Sequence, residues 1–589
     1  MHLSPSQVIV LATPFFFLLI GIEFAWGRWR GRNTYRLNDA INSMSLGMLS
    51  QVSAVLTRLF RIGIYTAVFS SLSLVHADAF WSSPVGWLLA LVFYDLCYYW
   101  LHRAGHEVAV FWAAHVVHHQ SQDYNISTAL RQTSSGALLG WIFYVPMAVA
   151  GVPPLVFGVV ALVDLLYQVW VHTEHVGKLG WFDRWFCSPS NHRVHHAVND
   201  GYLDRNYGGI LIVWDRLFGS FTDEGEKCVY GTRAPLQSWD PLWSNLEVYW
   251  ALAKDCWHAR SWADKVRVWF KPPGWRPADV AQRFPKPSFG IEQVTRFHPP
   301  MTRAIAWFAA LQFVALVAGT CVFLWHADQM PVAQSAVWLA VLTASVWAVG
   351  AVMQGRMGII DVLLVQAGAL ATATAAEGWI TLHQVFKPLA LLLAILVVAS
   401  RPGWLRTDRG FDLKLLAALL LCLAGDVLLM LPDLFIPGLV SFLCAHLCYL
   451  ALFKQGQRWF PSGTALACTA GAAVAMYAML FPHLGPVLKV AVACYALVIA
   501  LMAAQAIGRA NAQHDAASFA VAAGAVLFML SDALLAINCF AQPLAMAQFW
   551  VLATYYAAQV LIVRNARPAI SAAVTSRHPG ASVLCPTDK

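Results

Sequence analysis

The sequence predicts an all-α integral membrane protein, in which an N-terminal helical module with clustered histidines precedes a C-terminal bundle of transmembrane helices. The first observation is composition: 59% of the residues are hydrophobic, only 12% are charged, and the mean hydropathy is +0.57. Soluble proteins carry roughly 25% charged residues, so lipid must solvate much of this chain. The second observation is a series of apolar stretches of about 20 residues, each long enough to cross a bilayer core.

The apolar stretches form two blocks that a polar segment separates. The first block has spans at 6–26, 41–60 and 83–101, followed by a short pair at 136–152 and 154–171 that is expected to form a re-entrant or interfacial hairpin. Residues 172–300 are polar, rich in Trp and His, and contain no span. The second block has spans at 304–325, 332–353, 358–376, 381–400, 413–431, 434–453, 463–481, 485–505, 516–537 and 545–564.

These blocks predict the domain organisation. Residues 1–300 form the histidine module, 301–356 are linking transmembrane helices, 357–565 form a compact membrane domain, and 566–589 form a disordered tail. When the spans alternate, the basic loops GRWRGRNTYR, QGRMG, RPGWLRTDRG and KQGQR fall on one side, together with residues 172–300. Basic loops stay in the cytoplasm, so the histidine clusters are expected to face the cytoplasm. The alanine-rich, lysine-poor composition indicates a bacterial inner membrane.

Charge and cysteine usage exclude several classes of function. The net charge of +8 is spread between apolar runs, a pattern typical of membrane orientation, and no nucleic-acid partner is expected. None of the twelve cysteines forms a CxxC pair, so the sequence predicts neither a disulfide framework nor an iron–sulfur site.

Half of the twenty histidines fall in four short groups. Partners three or four residues apart share a helix face, so each group can aim two imidazoles at one point. Burying so many polar rings without partners would cost several kcal/mol, which favours a dinuclear metal site at the membrane surface. Imidazole ligands suit iron, zinc and copper alike. The groups are HRAGH (His102, His106), HVVHH (His115, His118, His119), HTEH (His172, His175) and HRVHH (His192, His195, His196).

The HxxxH, HxxHH and later HxxHH patterns resemble those of the fatty acid hydroxylase/sterol desaturase superfamily over residues 85–235. The stretch DRNYGGILIVWDRLFGSF (204–221) also resembles the segment that follows the last histidine box there. The resemblance implies a non-haem centre of two iron ions, held by the ten histidines, that activates O2 and oxygenates an unactivated C–H bond. Within that superfamily the chain resembles the alkylglycerol monooxygenases, which implies cleavage of an alkyl ether lipid with tetrahydrobiopterin as reductant.

Three carboxylates and the source of electrons complete the expected site. Asp95 and Asp164 lie on helical faces seven and eight residues before His102 and His172, so they are candidates to orient ligating imidazoles. A simple interhelical hydrogen bond is the alternative for both. Glu174, within HTEH, is a candidate ligand or orienting group. The chain carries no GxGxxG after a strand and no CxxCH. The electron donor is therefore expected to be external, either a pterin or a redox protein.

Four ionisable residues interrupt the apolar helices of the second block: Lys387, Asp426, His446 and Asp532. A charge at bilayer depth costs about 2.5–3.5 kcal/mol, so these side chains are expected to meet. The strings around them (KP, GD, FxxGxxxFxxAHxxY, GAxxFxxSD and YxxxQxLI) resemble the lysoplasmalogenase, or YhhN-type, family over 357–565.

That resemblance implies hydrolysis of the vinyl ether of a lysoplasmalogen. Asp426 and Asp532 would be the acid/base pair, while Lys387 and His446 would bind phosphate or tune the aspartates. Both modules would then act on ether lipids and release fatty aldehyde. The alternative is a sterol or fatty acid hydroxylase or desaturase, with a C-terminal domain that is structural or transport-related.

Overall fold

The computed structural model describes residues 4–75 and 77–568. From residue 569 onward, the tail expected at 566–589 lies outside the described residues. The chain divides into two compact units, Met1–Ile359 and Ile360–Lys589.

The first unit holds the histidine module and the helices expected to link it to the second. The linking helices α18 and α19 pack on α1 and α2 and so belong to this unit. Its helices are α1 (Pro5–Trp29), α2 (Leu37–Arg58), α3 (Ile64–Leu72), α4 (Asp78–Trp81), α5 (Pro84–Glu107), α6 (Ala109–Ala113), α7 (Val116–His119), α8 (Ile126–Ala129), α9 (Gly136–Gly140), α10 (Val145–Val149), α11 (Pro154–Trp170), α12 (Phe182–Trp185), α13 (Pro189–His196), α14 (Val213–Phe218), α15 (Pro241–His258), α16 (Trp262–Phe270), α17 (Ala278–Arg283), α18 (Arg303–His326) and α19 (Val332–Met353).

The second unit is a bundle of long helices. Small residues let these helices approach closely, as is usual in membranes. A methyl group at Gly425 of α22 would lie 2.7 Å from the ring of Phe442 on α23, and one at Gly524 of α26 would lie 3.0 Å from the Ala558 carbonyl of α27. The helices are α20 (Ile359–Ala376), α21 (Ile380–Ala399), α22 (Arg409–Leu429), α23 (Phe435–Lys454), α24 (Gly463–Leu480), α25 (Pro486–Gln513), α26 (Ala516–Ala536) and α27 (Ala547–Asn565).

The predicted fold class is confirmed. Within the described ranges every regular element is a helix, and ten helices are long and apolar enough to cross a membrane. The chain is thus a multi-pass integral membrane protein. The expected spans at 41–60, 413–431 and 545–564 are helical too, as α2, α22 and α27, but they are not among the ten. The expected hairpin is a helix broken by a 3-10 turn at Trp141–Tyr144, followed by the 17-residue α11.

Candidate functional site

The histidine groups gather at the C-terminal end of the membrane span α5. His102 and His106 occupy the last turns of α5, and the HVVHH group lies around α7. His172 follows the end of α11. The fourth element is α13, which Ser188 caps by accepting a hydrogen bond from Asn191 N at 3.4 Å, and all eight of its residues are buried. A helix this short and this buried depends on tertiary packing rather than on its own propensity.

Nine of the ten predicted histidines converge in two neighbouring groups. Within each group the ligand atoms lie within 4.8 Å of one another. His118 and His119 are adjacent in sequence but belong to different groups, so α7 joins the two. The first group is His102, His106, His115, His119 and His195, and the second is His118, His172, His192 and His196.

The Nε2 atoms of these rings point at one another. In the second group they lie 3.1–3.2 Å apart between His118 and His172, His172 and His192, and His192 and His196. In the first group the buried Nε2 atoms of His102, His106 and His195 have no hydrogen-bond partner. Buried imidazole nitrogens without donors between them are costly unless a cation fills the space they surround. The residues therefore fit a metal centre, and the donor set is consistent with iron.

Backbone carbonyls orient four of the nine rings. A ring that donates from Nδ1–H leaves the Nε2 lone pair free for a metal, so these contacts fix the tautomer. The four Nδ1 contacts are His102 to the Tyr207 carbonyl at 2.8 Å, His118 to that of Arg131 at 2.9 Å, His172 to that of Gln168 at 2.8 Å and His195 to that of Arg205 at 3.0 Å.

Burial keeps the imidazoles outside the membrane spans neutral. Desolvation lowers the pKa of His118 to about 4 and, together with repulsion between neighbouring imidazoles, holds the pKa of His192 and His196 well below the usual value. The pKa values of His115, His119, His172 and His195 are depressed for the same reasons. A neutral imidazole is the form that binds a metal.

His175 and Glu174 lie outside both groups. His175 is half-buried, and its Nε2 has no hydrogen-bond partner. It faces α1, where a methyl group at Gly27 would lie 3.0 Å from that Nε2. Glu174 is half-buried as well and is not grouped with the histidines. The HTEH spacing predicted a shared face, but α11 ends at Trp170 and the motif lies in a turn.

Asp95 and Asp164 meet beside the segment that follows the last histidine box. Asp95 is 1% exposed and accepts hydrogen bonds from Ile210 N at 2.7 Å, Leu211 N at 3.0 Å and Trp214 Nε1 at 2.8 Å. Asp164 accepts one from Gln168 Nε2 at 2.6 Å. Neither carboxylate hydrogen-bonds directly to an imidazole in the described contacts. Asp95 instead holds Ile210, three residues after Tyr207, whose carbonyl orients His102. Asp164 holds the side chain of Gln168, whose carbonyl orients His172.

Two buried arginines were missed by sequence reasoning. Arg131 is 1% exposed and donates to the Val117 carbonyl at 2.7 Å and to Asn42 Oδ1 at 2.8 Å. Arg193, inside HRVHH, pairs with Glu224 through two bonds of 2.7 Å and donates to the Thr173 carbonyl at 2.9 Å. Arg193 therefore ties the HTEH turn to α13. For Arg193, the only signal in the sequence was the position of a charged residue between the histidines of HRVHH.

In the second unit the four predicted residues form two pairs. Lys387 Nζ lies 3.4 Å from Asp426, which also accepts a hydrogen bond from the Tyr555 hydroxyl at 2.8 Å. His446 Nε2 lies 3.0 Å from Asp532 Oδ2.

Tyr495 of α25 is the residue that sequence reasoning missed in this unit. Its hydroxyl donates to Asp532 Oδ2 at 2.7 Å and lies 3.0 Å from His446 Nε2. Each of the two carboxylates thus has one phenol and one basic side chain as partners, an arrangement that suits proton transfer. No motif around Tyr495 marked it in the sequence.

Comparisons with known proteins match a different family to each of the two units of the chain. The model of the fatty acid hydroxylase family matches residues 87–220, and that of the YhhN family matches 382–566. Alkylglycerol monooxygenase of Homo sapiens is 38% identical over 284 residues, which are 48% of this chain and 61% of that protein. The Xenopus tropicalis alkylglycerol monooxygenase is 36% identical over 52% of this chain and 68% of its own length.

The second unit has curated relatives of its own. Lysoplasmalogenase TMEM86B of Homo sapiens is 35% identical over 192 residues, which are 32% of this chain and 79% of that protein. No solved structure matches the chain. By these identities and coverages, the chain belongs to the fatty acid hydroxylase family through its N-terminal module and to the YhhN family through its C-terminal unit.

Proposed function

We propose that the N-terminal module is a metal-dependent monooxygenase that cleaves the alkyl ether bond of a membrane lipid. The observation that carries the proposal is the convergence of nine imidazoles in two groups. The names of the alkylglycerol monooxygenase relatives support the choice of substrate. His102 and His106 lie in the last turns of a membrane span, which supports a substrate drawn from the lipid.

The proposed centre holds two iron ions, one in each histidine group. When bound, the irons would supply O2 activation. One oxygen atom enters the C–H bond next to the ether oxygen, and the other leaves as water with two electrons and two protons from the donor. The resulting hemiacetal collapses to a fatty aldehyde and the free glycerol hydroxyl. Tetrahydrobiopterin is the donor that the relatives' branch of the family implies.

The chain's own residues keep the imidazoles neutral and oriented. The carbonyls of Tyr207, Arg131, Gln168 and Arg205 hold four Nδ1–H groups, so the Nε2 lone pairs are available to the metal. Asp95 holds the backbone N–H groups of Ile210 and Leu211, three and four residues after Tyr207, and Asp164 holds the side chain of Gln168. Both are proposed as positioning residues. His175 and Glu174 are proposed as residues that shape the HTEH turn.

The C-terminal unit is proposed to hydrolyse the vinyl ether of a lysoplasmalogen. A proton must reach the enol-ether carbon, and a water must add to the carbon that carries the ether oxygen. The products are a fatty aldehyde and a glycerophospho head group that carries no remaining chain, with a free hydroxyl where the ether was. Asp426 and Asp532 are the proposed acid and base. Lys387 and His446 tune their charge, because each lies within 3.4 Å of its carboxylate.

The test uses the full-length protein in nanodiscs. Labelled alkylglycerol, tetrahydrobiopterin and O2 should give labelled fatty aldehyde, and His192→Ala should abolish that product. A lysoplasmalogen should give aldehyde without pterin or O2, and Asp532→Asn should abolish only this second reaction. Labelled alkylglycerol that stays intact, while a sterol or acyl chain becomes hydroxylated, would overturn the ether-lipid assignment and favour the alternative substrate class.

A further inference from the structure

Two helices of the polar segment carry a row of exposed apolar side chains that no described part of the protein covers. In α15 the row is Leu246, Trp250 and Trp257, which are 54%, 56% and 81% exposed. In α16 it is Trp262, Val266 and Phe270, spaced by four residues and 81%, 58% and 63% exposed. Residues four or seven apart share one helix face, so each helix presents an apolar stripe, which in α15 is interrupted by the exposed Lys254. We call this pair of stripes the α15–α16 platform.

The opposite faces of the same helices pack on the histidine module. Gln120 Nε2, directly after HVVHH, donates to the Ser244 carbonyl of α15 at 3.0 Å. The Tyr249 hydroxyl lies 3.0 Å from Ser135 Oγ, and Val268 of α16 is 1% exposed. The platform therefore forms the outer side of an element whose inner side braces α6 and α7.

Both ends of the platform are fixed at the ends of membrane spans. Before α15, the carboxylate of Asp240 accepts a hydrogen bond from Trp347 Nε1, near the end of the span α19, at 3.0 Å. After α16, the Lys271 carbonyl accepts one from Ala109 N at 3.0 Å, two residues beyond the span α5. Neither α15 nor α16 qualifies as a span. The platform thus runs between two points at the membrane boundary.

The charge around the platform is basic. Residues 241–271 contain five Lys and Arg against three Asp and Glu. The carboxylate of Asp255 forms a bidentate ion pair with Arg276 at 2.8 Å, and that of Asp264 pairs with Arg267 at 3.1 Å, so both negative charges are neutralised by arginines. Lys254, Arg260 and Lys271 are exposed. Apolar stripes flanked by cations suit an interface of anionic lipid headgroups.

We infer that α15 and α16 lie in the headgroup interface of the bilayer and dock the histidine module onto anionic lipid. Trp and Phe are the side chains preferred at that depth, and the position of both ends leaves the stripes facing the membrane. A docked platform holds the module against the leaflet. A flat aromatic face could instead receive a protein electron donor, and the experiment separates the two occupants.

The experiment places benzoylphenylalanine at Val266 in the full chain and irradiates native membranes. The control carries the same photoreactive residue at Glu226, an exposed position of the same module outside the platform. Mass spectrometry of the purified chain should find phospholipid adducts at position 266, and several-fold fewer at 226. Adducts to another protein, or lipid adducts no more frequent than at 226, would overturn the inference.

Reconstitution tests the basic flank. In nanodiscs, replacing part of the phosphatidylcholine by phosphatidylglycerol should raise the adduct yield at position 266. In a Lys254→Gln/Lys271→Gln double variant the yield should no longer depend on phosphatidylglycerol, because two exposed cations beside the stripes are gone. A yield that is insensitive to anionic lipid in the parent chain would refute the electrostatic part of the inference.

Discussion

Asp95 provides the sharpest test of how the first histidine group is supported. Its buried carboxylate accepts hydrogen bonds from Ile210 N, Leu211 N and Trp214 Nε1 at 2.7, 3.0 and 2.8 Å. Asp95→Ala removes the acceptor from all three donors, of which Ile210 N is buried and the other two are half-buried. At about 1.5 kcal/mol for each bond to a charged group, the lower end of the usual range, the free energy of unfolding should fall by about 4.5 kcal/mol.

The same change should weaken metal binding. The Tyr207 carbonyl, which orients His102, lies three residues before Ile210, whose N–H donates to Asp95. Loss of such a supporting contact typically lowers metal affinity by about 10–100-fold. Thermal unfolding in detergent and competition with a chelator of known affinity measure the two effects, and Asp95→Asn, which keeps one acceptor oxygen, should be intermediate.

Asp328→Ala is the matched control for Asp95. This carboxylate pairs with Arg58 at 2.6 Å on the surface, with its side chain 32% exposed, so its removal should cost less than about 1 kcal/mol. Asp95 would have no supporting role if the Asp95→Ala and Asp328→Ala variants unfolded at the same temperature and bound metal with equal affinity.

Three further results are expected. Arg193→Lys replaces a bidentate contact with Glu224 by a single one and should release metal from the second histidine group first, which metal analysis per chain detects. Unchanged metal content would contradict this. Tyr495→Phe removes the hydroxyl that donates to Asp532 and should slow vinyl ether hydrolysis about tenfold, with alkyl ether cleavage unaffected. Equal loss of both activities would argue against two separate sites. Chelator treatment should abolish alkyl ether cleavage and spare vinyl ether hydrolysis; loss of both would contradict the assignment.

Hydropathy predicted the membrane helices well because length and composition alone decide whether a helix can span a bilayer. The span expected at 304–325 is the helix Arg303–His326, and the one at 516–537 is Ala516–Ala536. Hydropathy did not predict the structure of the polar segment 172–300. Its short helices have no strong periodicity, and their positions depend on contacts between residues far apart in sequence, such as Cys187 N with the Ile210 carbonyl.

Histidine spacing predicted that the boxes would carry a metal-binding pattern, but not how the rings are shared. Helical spacing placed His118 and His119 in one motif, whereas the fold sends them to separate groups. His175 follows His172 by three residues, yet it faces Gly27 because the helix has already ended. The backbone carbonyls that orient the rings have no sequence signature at all. In the second unit, the resemblance selected both aspartates as candidates, while Tyr495 lies on a helix without a motif.

The most direct test of the account is the metal content of the purified full-length protein, measured by mass spectrometry of the metal together with Mössbauer spectroscopy. Two groups of four or five imidazoles predict about two iron ions per chain, with His192→Ala retaining about one because the first group stays intact. A chain that binds no iron after loading, or a variant that keeps the full complement, would contradict the central claim.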